Sequence, residues 1–513
     1  MKTHIAAALD EIKTLIGSEN VISASDILAL LSKNSLGVPR KIAGCIYPSS
    51  LDDVQNIIRI ANTYQTPLYP VSRGENLGYG DKSPIKDYQI LVSLERMNRI
   101  LEFDDIHGYV MIEPGVTQKQ LYDFLQEKKA NFWMDATAAG NTASIAGNTL
   151  EGGFGHTPKG DHRNLISNLT IVLGSGQIIN TGTFPGLGPD ISGLFVQSNF
   201  GIVTAMQIEL VPIPEHYESF IISLKTDKDL EKLITDISEL RRLGILNSLL
   251  HITNATRALI STKKCPKQFR NQTISNEMAQ QLMTSLLVKI GLWSALGALY
   301  GSKQEIIAKK KILKKRLGSY ARIRFFTDEK IRRMTRIMSY NFFDRFKVIQ
   351  NIREGLQSYR IAHDLMKGIP SDEPKENIYW RIDSKNDLGL IWFAPTFSAN
   401  GEITRKVVSI SESLFNTYGF ELPITFTLVK PDRIVGILSI SFNINNPAET
   451  QKAHDLYHEL KQIFERNAIQ TYRSSILNMD AIVYPDQGKI ETLKQLKCTL
   501  DPRHIISPGR YGI

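Results

Sequence analysis

The sequence predicts an α+β protein of roughly two or three domains, and three observations carry that reading. A strand–helix–strand unit over residues 45–80 runs into a loop with Gly74, Gly78 and Gly80. Pro212 and Pro214 punctuate the chain, and beyond them the glycine-rich texture gives way to helices and strands of ordinary composition. Two strand–helix sets then follow, from Phe220 to Gly244 and from Leu388 to Phe442, as expected of a domain built on an antiparallel sheet.

Taken in order, residues 1–44 hold one or two helices and a linker, with Ile5, Leu9 and Ile12 near helical spacing. A strand at Cys45–Tyr47 ends at Pro48. Ser50 and Asp53 then have the spacing of a helix cap, and Val54, Ile57, Ile58 and Ala61 line one face. Pro67–Val71 is the second strand. Thr117 and Gln120 read as a capping box opening a helix through Leu125. Leu169–Leu173 and Gln177–Asn180 form a hairpin, and a strand runs from Asn199 to Val211. After the helix of Asp227–Gly244 comes a middle expected to be mostly helical, including Trp293–Gly301. His454 and His458 lie at helical spacing with no third ligand, which reads as a solvated face and not a metal site.

Composition narrows the function. The chain has 513 residues, 42% apolar and 22% charged, an ordinary globular balance. Its net charge of +9 comes largely from residues 263–336. The run Lys303–Arg316 is either a solvated helix face or a docking face for an acidic partner or membrane surface. No aromatics interleave with it, which argues against nucleic acid. Cys45, Cys265 and Cys498 give neither a disulfide framework nor zinc spacing. Asp10 and Glu11 interrupt the first apolar run, and Lys289 lies in the longest one, so neither a signal peptide nor a membrane span is expected. The protein is expected in the cytoplasm.

Two glycine-rich tracts carry the chemistry. In Ser72-Arg73-Gly74-Glu75-Asn76-Leu77-Gly78-Tyr79-Gly80, backbone N–H groups can converge on an anion such as a pyrophosphate. Tyr79 stands between two glycines with a phenol to offer. The second tract, Ala138–Gly160, lets main chain approach an extended ligand while its Asn and Thr side chains donate to it.

Together these residues resemble the vanillyl-alcohol oxidase / 4-cresol dehydrogenase family of FAD flavoenzymes, from about Pro39 to the C-terminus. The markers are the Arg73–Gly80 loop, Glu113-Pro114-Gly115-Val116, Gly147-Asn148, Gly155–His162, Asn199–Thr204, Gly297–Gly301, Gly368-Ile369-Pro370, Tyr379-Trp380-Arg381 and Ser507–Gly512. The resemblance implies a split, two-subdomain FAD-binding domain from residues 1–216 and 466–513, with a discontinuous α+β cap over residues 217–465. It implies FAD contacts from Ser72, Arg73, Gly74, Glu75, Asn76, Leu77 and Gly78. Further contacts are implied at Gly147, Asn148, Gly155, His156, Gly160, His162, Gly201, Ile202, Val203 and Arg510.

It also implies a phenol-binding trio at Tyr79, Tyr472 and Arg473. These would hold a para-substituted phenol as its phenolate, so that the benzylic carbon releases a hydride to flavin N5 and a quinone methide results. Oxygen or an electron carrier, a cytochrome among the options, would reoxidise the flavin, and relatives are commonly dimers or larger. Two departures stand out. Leu390 occupies the place where relatives carry a histidine bonded to the flavin, so FAD is expected without a covalent link, Tyr379 being the nearby alternative. Ala138 occupies the place of an active-site aspartate, which leaves Glu151, Asp161 and His162 as candidate bases. The same departures keep open a non-phenolic alcohol, amine or biosynthetic intermediate as substrate. A non-catalytic flavin-binding scaffold is the remaining alternative.

Overall fold

The computed structural model describes residues 2–182, 186–270, 272–283, 290–338, 347–376, 378, 380–382, 384–482 and 484–513. The expected cap at Ser50 and Asp53 forms, and as a full capping box: each side chain accepts from the other's backbone N–H at the start of the helix Leu51–Tyr64. That helix packs Val54, Ile57, Ile58 and Ala61 inward and connects the strands Ile42–Ile46 and Leu68–Val71. Such a crossover is what a parallel sheet requires. The two strands flank Gln89–Ser93, parallel to it, and Val21–Ile22 adds an antiparallel edge. The C-terminal tail returns to this sheet: Leu68 N–H donates to Ile505 at 2.7 Å and Ser507 N–H donates to Leu68 at 2.8 Å.

A second, antiparallel sheet has the order Ile100–Asp104, Tyr109–Ile112, Gly201–Glu209, Ile166–Leu173, Ile178–Asn180. Beside it lies the helix Gln118–Glu127, whose expected capping box is half formed. Thr117 Oγ1 accepts from Gln120 N–H at 3.1 Å, but the Gln120 amide donates to Asn98 O at 2.7 Å instead of turning back.

The third sheet has nine strands and is antiparallel throughout. It runs from Ala321–Phe326 through His216–Leu224, Trp293–Gly301, His251–Asn254, Ile424–Lys430, Arg433–Asn443 and Pro395–Ser398 to Gln470–Thr471, with Leu388–Phe393 also on Arg433–Asn443. The middle of the chain is mostly helical as expected, with Lys303–Leu317, Asp328–Met338 and Lys347–Leu365 its longest described helices, but Trp293–Gly301 is an inner strand. Both faces of that strand are covered, and a strand covered on both sides loses the alternation that would mark it.

Side-chain alternation gives this sheet two different faces. Phe220, Ile222, Ile252 and Phe426 share one apolar core with Leu230, Leu233, Ile234, Ile237 and Leu240 of the helix Asp229–Arg242, and with Val407, Phe415, Leu456 and Phe464 of two further helices. The intervening residues Ile221, His251, Thr253, Leu296, Thr425 and Thr427 roof a cavity. On the helix Lys303–Leu317 the basic run is partly committed. Lys310 pairs with Glu218 at 2.8 Å, Arg316 with Asp236 at 2.8 Å, and Lys309 donates to Tyr300 O at 3.0 Å. His458 is exposed, but His454 Nε2 donates to Leu36 O at 2.7 Å, tying its helix to the N-terminal arm. No helix among the described residues is long and apolar enough to cross a membrane.

Candidate active site

The glycine loop after Leu68–Val71 forms one wall of a cavity of about 310 Å³. Ser72, Arg73, Gly74, Glu75, Asn76, Leu77 and Tyr79 line it from this side, and Gly147, Asn148 and Glu151 from the short helix Ile145–Leu150 and its end. Gly201, Ile202 and Val203 close a third side, and Arg473, Ser507 and Arg510 arrive with the tail. Gly78 does not line the cavity. It sets the loop's path: at φ +77° a Cβ there would lie 2.3 Å from Trp392, whose indole Nε1 donates to Leu77 O at 3.1 Å.

The tail is held by a buried ion pair. Lys497 Nζ lies 2.6 Å from Asp501 and donates to Asn199 O at 2.6 Å and Ile506 O at 2.9 Å. Asn199 Nδ2 donates to the Ser507 and Ile513 carbonyls at 3.1 and 3.0 Å.

Tyr79, Tyr472 and Arg473 come together although Tyr79 and Tyr472 are 393 residues apart in sequence. The Arg473 guanidinium lies 4.4 Å from the Tyr79 ring centroid, and its Nη2 donates to Asn76 Oδ1 at 2.6 Å. Burial raises the Tyr79 pKa well above the ordinary phenol range; Tyr472 raises it further, and Arg473 only partly offsets this. Tyr79 thus keeps its proton at neutral pH and can donate it in a hydrogen bond.

Tyr79 also lines a second cavity, of about 460 Å³, under the nine-stranded sheet. Ala138, Ala139, Ile378 and Trp392 border both spaces, whereas Tyr472 faces only this one. Its walls are mainly apolar, with Leu296, Phe326, Leu356, Tyr359 and Leu365 among them. His156 and His251 face it with ring centroids 4.6 Å apart. Burial lowers the pKa of both, most strongly for His251, so both are neutral imidazoles. His251 accepts or donates at Thr427 Oγ1 (3.1 Å), and its Nε2 is buried without a partner.

None of the three residues expected as bases lines the second cavity. Glu151 lies on the first cavity but forms ion pairs with Arg473 at 3.2 Å and with Arg510, and accepts from the Tyr511 hydroxyl at 2.6 Å. Asp161 faces neither cavity; it pairs with Arg163 at 2.8 Å and caps the turn at His162. His162 is buried 3.5 Å from Asp135. Gly155, Gly160 and His162 also lie off both cavities, in a turn laced to Asp135. The Asp135 carboxylate accepts from the backbone N–H groups of His156, Thr157 and Gly160 at 2.9, 2.9 and 2.8 Å. Gly155 is needed there, since a Cβ would fall 2.1 Å from Asp135 Oδ1.

Sequence reasoning passed over His251 and Arg257, which follow no motif. Leu390 is fully buried, with its N–H donating to Ser35 O at 2.8 Å. Tyr379 lies outside the described residues. No cluster of metal-ligating side chains occurs among the described residues.

Several polar atoms on the first cavity's wall are buried without partners: Arg73 Nε, Asn148 Oδ1, Asn199 Oδ1, Ser507 Oγ and Arg510 Nε. Such atoms are costly unless a ligand completes them. Two of them belong to guanidinium groups, which suits an anionic, hydrogen-bonding ligand such as a dinucleotide.

Comparison with known proteins agrees. The FAD binding domain family matches residues 42–182. The flavoprotein subunit of 4-cresol dehydrogenase from Pseudomonas putida is 25% identical, the match covering 99% of this chain and 95% of that protein. The 1'-carboxy-chondrochloren decarboxylase of Chondromyces crocatus is 28% identical over 98% of this chain and 96% of its own length. The solved structure of 4-ethylphenol oxidase from Gulosibacter chungangensis, an isoeugenol complex, superposes with a TM-score of 0.89 at 27% identity, covering 100% of this chain and 97% of the other. A cavity with unsatisfied polar atoms, a covering antiparallel sheet and these relatives agree: the chain is an FAD-dependent oxidoreductase, related to the 4-cresol dehydrogenase flavoprotein subunit and to 4-ethylphenol oxidase.

Proposed function

We propose that the protein oxidises a para-substituted phenol, a 4-alkylphenol or 4-hydroxybenzyl alcohol, at its benzylic carbon. The observation that carries this is Tyr79, on the wall common to both cavities, with Arg473 4.4 Å over its ring and Tyr472 lining the deeper space. Two phenol O–H groups and a permanent cation form a site for an anionic phenol oxygen, since charge-assisted bonds are about twice as strong as neutral ones. Holding the phenolate raises electron density in the substrate ring, and loss of a benzylic hydride then leaves a quinone methide open to water. Bound FAD supplies the two-electron acceptor. Arg73, Asn148, Ser507 and Arg510 would hold it, with Ser72 and the residues after it contributing backbone. We place residues 1–216 and 466–513 in the domain that binds it and residues 217–465 in the cap, although Gln470–Thr471 pairs with the cap sheet.

Glu151 acts in this reading as the counter-charge of Arg473 and Arg510 and not as a base. The proton acceptor, or the group that orients water, is the neutral His156–His251 pair, which faces the substrate space as Asp161 and His162 do not. FAD binds without a covalent link: among the described residues no histidine or cysteine lines its cavity. We further propose oxygen or a cytochrome-type carrier as acceptor, a homodimer, and a cytoplasmic location.

A second reading keeps the flavin and replaces the phenol by a non-phenolic alcohol, amine or biosynthetic intermediate. It is favoured by Ala138 and by the relative named as a decarboxylase. Anaerobic titration separates the two. The proposal expects 4-ethylphenol or 4-cresol to bleach the flavin, and Tyr79→Phe and Arg473→Ala to slow bleaching by about a hundredfold or more, the loss of one or two charge-assisted bonds. Flavin that no para-substituted phenol bleaches, or full turnover by both variants, removes the phenol reading.

A further inference from the structure

The second cavity is neutral on its walls except at one point. Among the described residues that line it there is no aspartate or glutamate, both histidines are held neutral by burial, and Arg257 is its single formal charge. Arg257 projects from the short helix Ala255–Ile260, which Asn254 caps by accepting from Arg257 N–H at 2.9 Å. Its guanidinium lies 5.8 Å from the ring of Trp392, the residue that borders both cavities. Among the described residues no carboxylate or carbonyl accepts from it. Burial alone lowers its pKa, to about 10, and it remains a cation at neutral pH. A guanidinium withdrawn from water with five donors and only an aromatic face for company is costly to fold around. Arg473 and Arg510, by contrast, share the carboxylate of Glu151 as a counter-charge.

The structure assigns Arg257 as the anchor for an anionic group, a carboxylate, on the substrate, and we propose that the preferred substrate is an elongated, largely apolar molecule carrying that group. The assignment rests on the proposed use of this cavity for substrate, and it does not depend on the phenol-binding trio. The planar fork of arginine matches a carboxylate in a bidentate pair, and the mainly apolar walls suit a hydrocarbon remainder.

The test is isothermal titration of the FAD-loaded protein with 3-phenylpropanoate and with 3-phenylpropanamide, a pair of equal shape without a phenol hydroxyl. The acid is expected to bind at least about tenfold more tightly than the amide, the scale of a desolvated charge pair. Arg257→Met should abolish that preference at unchanged FAD content, and Arg257→Lys should keep part of it. Equal affinities in the unaltered protein, no binding of either compound, or a preference that survives in Arg257→Met would each overturn the assignment. The comparison on the unaltered protein stands even where a variant fails to fold. If 3-(4-hydroxyphenyl)propanoate binds in an Arg257-dependent way but never bleaches the flavin, the phenol reading fails and the carboxylate anchor remains.

Discussion

The tail's buried ion pair couples the stability of the C-terminus to cofactor binding, and Lys497→Met tests this directly. Lys497 and Asp501 are 1% and 0% exposed, and the lysine also satisfies the carbonyls of Asn199 and Ile506. Asp501 in turn accepts from Ile505 N–H at 3.1 Å and Ile506 N–H at 2.9 Å, so the pair fixes the segment that joins the first sheet at Leu68. Methionine fills much of the volume but leaves a carboxylate buried without its cation. Removing one partner of such a pair costs about 3–5 kcal/mol, more than an isolated segment of this size is expected to spare. Undocking carries Ser507 and Arg510 away from the first cavity. The expected result is FAD affinity lowered by at least about tenfold, one factor of ten for each 1.4 kcal/mol lost at the tail, and faster proteolysis after residue 484. FAD fluorescence quenching on apo-protein and limited trypsin digestion measure the two. A variant that binds FAD within about twofold of the original and resists trypsin equally would refute the coupling, since 0.4 kcal/mol is far below the cost of an orphaned buried charge.

Glu151→Gln separates counter-charge from base: we expect lower thermal stability and weaker FAD retention, by about 3 kcal/mol at the low end for a broken buried pair because the amide still accepts from Tyr511. An unchanged melting temperature with turnover lost a hundredfold would instead make Glu151 a participant in the chemistry. The neutral His251 predicts a pH effect of definite sign. Its folded pKa is depressed, first by burial and then by His156 and Arg241. The unfolded chain therefore takes up a proton below about pH 6.5 that the folded one refuses. Stability is then full above that pH and falls as pH drops, by up to about 1.4 kcal/mol per pH unit. Urea midpoints between pH 7 and 5 should show a shallower slope in His251→Gln, and an identical slope would contradict the assignment. Acid precipitation of the yellow protein is expected to leave the FAD in the supernatant; colour retained in the pellet would show a covalent bond and direct attention to Tyr379.

Local signals in the chain were sufficient for much of the frame. The Ser50–Asp53 cap, the inward face of Asp229–Arg242 and the strand before the glycine loop depend on neighbours three or four residues away, and these are written in the sequence. Tyr79 between two glycines, and the Tyr472-Arg473 dipeptide, carry enough motif to be singled out before any contact is known. Trp293–Gly301 went unread as a strand because burial on both faces removes the alternation on which a strand is recognised. Lys497 and Asp501 are an i, i+4 pair that looks in sequence like any surface ion pair.

What the tertiary structure alone decided is which charges answer which. Glu151 has the sequence surroundings of a catalytic carboxylate, yet two arginines from the tail, 322 and 359 residues later, consume its charge. His156 and His251 face one another from segments 95 residues apart, and among the described residues Arg257 is left without an acceptor because of what the fold places around it. Secondary structure follows from short-range patterning. Protonation and pairing follow from burial and from partners far away in the chain, so the chemistry of this site could be read only after folding had brought them together.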